Sequence, residues 1–117
     1  MNAINVPIDV MDLILPKGTM DWFEITKGTG NKKEINIILE EKNIPPLPSW
    51  YNNEKVKSKG FKEITISDFP IRGRTTTLTF RRRSWEIEGY SKRLKREIKL
   101  NAPGTLLEEE FASFLKE

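Results

Sequence analysis

Residues 75–87 read Thr-Thr-Thr-Leu-Thr-Phe-Arg-Arg-Arg-Ser-Trp-Glu-Ile, and this run decides the fold. β-branched and aromatic residues suit a pleated, half-buried strand. Leu78 and Phe80 fall on one face, Thr77, Thr79 and Arg81 on the other. After Arg82 the apolar positions move to Trp85 and Ile87. Side chains alternate with a period of two, so the change of parity predicts a β-bulge whose extra residue flips the faces.

Upstream, Ile64 and Ile66 alternate with Glu63, Thr65 and Ser67, which predicts a partner strand beginning at Phe61. Residues 68–74, Asp-Phe-Pro-Ile-Arg-Gly-Arg, predict the turn between the two. Within that turn an ion pair between Asp68 and Arg72 is expected. Downstream, Gly89 to Lys92 predicts another turn, and Leu94, Ile98 and Leu100 one more strand. Residues 43–53 hold three prolines and two aromatics; proline lacks a ladder donor, so a long loop is expected, extended by Lys55 to Gly60. Trp50 and Tyr51 in that loop are expected to cover the sheet edge.

Earlier in the chain, residues 21–27 and 34–42 alternate around Gly28-Thr29-Gly30-Asn31, predicting a hairpin with Trp22 on its first strand. Residues 8–15 predict one or two helical turns, ended by Pro16 and Gly18. Thr105-Leu106-Leu107-Glu108 fits a capping box, and Leu107, Phe111, Phe114 and Leu115 recur at helical spacing. The reading is one α+β domain over 1–117: small antiparallel hairpins forming a ribbon-like sheet, with a C-terminal helix packed on it. Its regions are a first hairpin at 8–42, a proline-rich linker at 43–60, a basic β region at 61–100 and the helix at 105–117.

Charge is segregated along the chain. Between Arg72 and Lys99 ten Lys and Arg face three Glu, a balance of +7, whereas the whole chain carries +3 and the other 89 residues therefore −4. A concentrated positive field is what a polyanion responds to. Guanidinium groups make bidentate phosphate contacts, and indole rings stack on bases. The candidate nucleic-acid-binding residues are Arg72, Arg74, Arg81, Arg82, Arg83, Trp85, Lys92, Arg93, Lys95 and Arg96. A weaker reading has Trp85 and Tyr90 stacking on RNA or single strands.

Cysteine and histidine are absent. Disulfides, thiolate and imidazole metal sites, and Ser-His-Asp or Cys-His catalysis are therefore excluded. No cofactor, metal or catalytic set is expected. No apolar run approaches the ~20 residues of a membrane span. The first 15 residues carry Asp9 and Asp12 and no basic leader, so a cytoplasmic protein is expected.

Several segments together resemble a known family. MDLILPKGTMDWFEITK, EINIILEEKNIPP, SKGFKEITISDFPIRGR, the RRRSWEI strand and APGTLLEEEFASFLKE are similar to the N-terminal region of bacterial insertion-sequence transposases, over residues 11–117. In related transposases a zinc ribbon occupies this region. Its cysteine pairs would fall near Pro46 to Ser49 and near Trp85 and the Gly89-Tyr90 turn, where this chain has none. The resemblance implies a metal-free, ribbon-like domain, non-catalytic and nucleoid-associated, that binds double-stranded DNA at the ends of the element. The alternative is an interaction module that docks a separate transposase catalytic subunit, or self-associates, through the stripe of its C-terminal helix.

Overall fold

The computed structural model describes residues 2–3, 15–48, 50–51, 55–100 and 105–117, with backbone alone at 2–3 and 68–69. Six strands form one mixed sheet: β1 (Asn2–Ala3), β2 (Phe23–Gly30), β3 (Glu34–Glu41), β4 (Val56–Ile71), β5 (Arg74–Ile87) and β6 (Arg93–Lys95). Among the described residues two helices accompany it, the single turn α1 (Thr19–Trp22) and α2 (Leu106–Lys116). The α+β class read from the sequence holds. The strand order is β1-β2-β3-β5-β4, with β6 paired to the far part of β5.

Both expected hairpins are present, β2–β3 and β4–β5. They join by a parallel ladder, in which Glu34 to Glu40 of β3 face Thr75 to Arg81 of β5. That places β5 in the centre, since a chain leaving β3 must cross to the far edge as β4 before returning. The crossing uses the proline-rich loop, which carries no strand in its described parts. It is shorter than expected, because β4 already begins at Val56 and takes in Lys57 to Gly60. The second turn is also tighter: strands run through Ile71 and resume at Arg74. Only Arg72 and Gly73 lie between, both at positive φ (53° and 77°), the signature of a type I′ hairpin turn. Pro70 lies where the β4 register shifts between Asp68 and Ile71, on an edge strand that can spare its donor.

The bulge expected in β5 lies instead in β4, between Ser58 and Phe61, where Gly60 adopts φ 95°. β5 keeps strict alternation. Thr76, Leu78, Phe80 and Arg82 are buried on the face that α2 covers. Trp85 belongs to the other face with Arg81 and Arg83, and its partner across β6 is Leu94. The change of parity therefore marks burial on both faces of one strand, not a flip.

On the α2 side, Phe23, Phe80 and Phe111 meet at centroid distances of 5.0, 5.3 and 6.0 Å. Such edge-on and tilted pairs contribute about 0.5–1.5 kcal/mol each beyond area burial. Leu15, Ile37, Leu39, Ile64, Ile66, Leu78, Ile98, Leu107 and Phe114 complete the core. The helix starts as its capping box predicts, with Glu108 N–H donating to Thr105 Oγ1 at 3.3 Å. Its Leu107, Phe111 and Phe114 are spent on the sheet, while Leu115 stays 36% exposed. Trp22 closes α1 instead of opening β2, and it is half-buried against the core. Trp50 is 82% exposed and does not cover the sheet edge. Of the helical turns expected at 8–15, residues 8–14 lie outside the described residues, as does the Asp68 side chain of the pair expected with Arg72. No helix among the described residues is long and apolar enough to cross a membrane.

Candidate nucleic-acid interface

Alternation on β5 sends the three consecutive arginines to two faces, and the ends of neighbouring strands supply carboxylates to both. Glu41 is the last residue of β3. Where the parallel ladder stops, its side chain replaces the missing strand: Glu41 Oε1 accepts from Arg83 N–H at 2.9 Å and from Arg82 Nε at 2.8 Å. Arg82 Nη2 donates to the Arg96 carbonyl. The Arg82 guanidinium lies over the rings of Phe111 and Phe114, at 4.5 and 4.6 Å. Both side chains are excluded from water, at 0% and 1% exposure. Burial pulls the Arg82 guanidinium below its usual value, and the charge and hydrogen bond of Glu41 oppose that shift.

On the opposite face Arg81 Nη1 reaches Glu40 Oε2 at 2.9 Å, and its Nε stands 3.6 Å from Glu63. Arg83 donates to Ser58 Oγ at 2.6 Å and to the Glu41 carbonyl at 3.1 Å, and stands 3.5 Å from Glu40 Oε1. Both guanidinium groups sit over Phe61, at 4.3 and 4.6 Å. Beyond them Trp85 is 1% exposed, and its indole N–H donates to Asn43 Oδ1 at 2.8 Å.

Arg82 and Trp85 are therefore withdrawn from the surface, a correction to the sequence-based set. A ring enclosed on every side cannot stack on a base. Arg81 and Arg83 are neutralised by carboxylates far away in sequence, which local charge counting does not see. Lys95 and Arg96 are also engaged within the fold. Lys95 Nζ donates to the carbonyls of Phe114 and Glu117, at 2.9 and 3.0 Å, where the α2 dipole favours a cation. Arg96 donates to the Ile44 carbonyl at 3.0 Å and lies over Trp22 at 4.5 Å.

The rest of the set is divided between the two ends of a molecule 50 Å long. Arg72 belongs to the β4–β5 turn and Arg74 opens β5, its Nε donating to the Asn31 carbonyl of the β2–β3 turn. Lys92 and Arg93 stand at the opposite end, after the turn that follows β5. There β4, β5 and β6 bring Lys57, Glu86 and Arg93 side by side. Lys59 Nζ is 3.6 Å from Glu86, and Arg93 donates to the Lys59 carbonyl at 3.2 Å. Lys55 adjoins them, its carbonyl accepting from Glu88 N–H. At this β6 end five exposed or half-exposed cations (Lys55, Lys57, Lys59, Lys92, Arg93) surround Glu86 and Glu88, with exposed Tyr90 in the same turn.

Lys57 and Lys59 were not among the sequence-derived candidates. Their signal is the two-residue spacing of Lys55, Lys57 and Lys59 around Val56 and Ser58, which is a strand pattern. Among the described residues no group of three His, Cys, Asp or Glu could hold a metal ion. No family model, curated protein or solved structure matches the chain.

Proposed function

We propose that this chain is a non-catalytic DNA-binding domain that holds the duplex backbone through Lys55, Lys57, Lys92 and Arg93. The observation carrying the reading is the unbalanced positive cluster at the β6 end of the sheet, where Lys55, Lys57 and Lys92 have no ion-pair partner among the described residues. Cations already tied to carboxylates add little to polyanion binding, because each pair must be broken first. Solvated lysines instead release condensed counterions when they meet phosphate, so free energy is gained without rearrangement. Contacts of this type position a duplex without reading its sequence. Tyr90, 66% exposed, adds a ring at the edge of the cluster.

The resemblance to transposase N-terminal regions supports a role at the ends of an insertion element, with strand transfer performed by a separate catalytic domain. Docking through α2 is the less supported alternative, since the apolar stripe of that helix packs on its own sheet. A fluorescent duplex of about 20 base pairs tests the proposal by anisotropy at low salt. The Lys55→Gln, Lys57→Gln, Lys92→Gln, Arg93→Gln variant is expected to bind at least about tenfold more weakly than the native chain. Equal affinity would remove the β6 end from the interface.

A further inference from the structure

The end of the molecule opposite the β6 cluster is also cationic. Lys32 and Lys33 occupy the β2–β3 turn, Arg72 the β4–β5 turn, and Arg74 the start of β5. The two turns are fixed to one another, because Thr75 N–H donates to the Lys33 carbonyl at 3.0 Å and Arg74 Nε to the Asn31 carbonyl at 2.8 Å. Asn31 Oδ1 in turn accepts from the N–H groups of Lys33 and Glu34, which sets the tip rigidly. An open recess of about 400 Å³ lies here, lined by Gly30, Asn31, Lys32, Ile35 and Arg74. Lys32, Lys33 and Arg72 are exposed and have no ion-pair partner among the described residues. Arg72 is held at φ 53° in the turn between two long strands.

Along β5, Arg74 at this tip and Glu86 at the β6 end are 12 residues apart, roughly 40 Å at about 3.3 Å per residue. On the two faces of β5 between them the arginines are already engaged. One carries Arg81 and Arg83 already paired with Glu40 and Glu63. The other is covered by α2, which exposes Glu109 and Glu110.

From this separation we infer that the turn tip is a second phosphate-binding site, and that one copy of the chain holds two duplex segments at once, one at each end. The inference rests on the duplex-binding reading above. With fewer cations the turn tip is the weaker site, so the second duplex adds after the first.

The test is bead capture. A biotinylated duplex of about 20 base pairs is immobilised, the full chain is bound to it at low salt, and retention of an unlinked fluorescent duplex is measured. The native chain is expected to retain it. The Lys32→Glu, Lys33→Glu, Arg72→Gln variant should bind the immobilised duplex within about threefold of the native affinity yet lose at least about tenfold in retention. Binding of the first duplex without retention of the second overturns the two-site inference and leaves the DNA-binding reading standing. So does retention unaffected by the triple variant, the result given by two copies joined elsewhere. Failure to bind the first duplex overturns both.

Discussion

Arg82 Nε and Glu41 Oε1 stand 2.8 Å apart in the interior, Arg82 from the middle of β5 and Glu41 from the last position of β3. The carboxylate also takes the Arg83 N–H, so one side chain ends a parallel ladder and neutralises a buried cation. Removing one member leaves the other charged and unpaired beneath Phe111 and Phe114. Arg82→Met or Glu41→Leu alone should each cost about 3–5 kcal/mol, whereas the double change should lie within about 1.5 kcal/mol of native stability. Urea denaturation of the four proteins measures this. Additive losses would show that the pair is not a unit.

Trp85 should be invisible to nucleic acid. With Trp22 and Trp50 replaced by phenylalanine, its emission should resist acrylamide and stay unchanged on adding single-stranded or duplex DNA. Asn43→Ala, which orphans the indole N–H, should cost about 1–3 kcal/mol. Quenching of Trp85 by single strands would place the ring on the surface.

Lys95 closes the C-terminal end of α2 through the carbonyls of Phe114 and Glu117. Lys95→Met should lower stability by about 0.5–1 kcal/mol. Amide exchange should quicken in the last turn, near Phe114 to Glu117, while the β5 amides keep their protection. Uniform quickening across the sheet would contradict a capping role.

Much of the architecture can be read from residue order. Period-two runs mark both hairpins, and Thr105 with Glu108 marks where α2 begins. The parallel β3–β5 ladder could not be read that way, because local alternation carries no information about which strands become neighbours. The same limit governs the site. Charge summed along residues 72–99 shows an excess, yet Glu40, Glu41 and Glu63, which absorb the arginine triplet, come from outside that window. Trp85 shows the point in a single residue: it is out of step with Leu78 and Phe80 because it is buried on the second face of β5, its indole N–H donating to Asn43. Lys57 and Lys59 were legible as strand residues and hidden only by the neighbouring prolines.

The salt dependence of duplex binding separates free cations from tied ones most directly. The slope of log affinity against log salt falls by about 0.9 for each phosphate that is no longer neutralised, so Lys57→Gln with Lys92→Gln should flatten it by about 1.8. Arg81→Gln with Arg83→Gln, folded by circular dichroism, should leave the slope unchanged. A flatter slope in the arginine variant, with none in the lysine variant, would contradict the account.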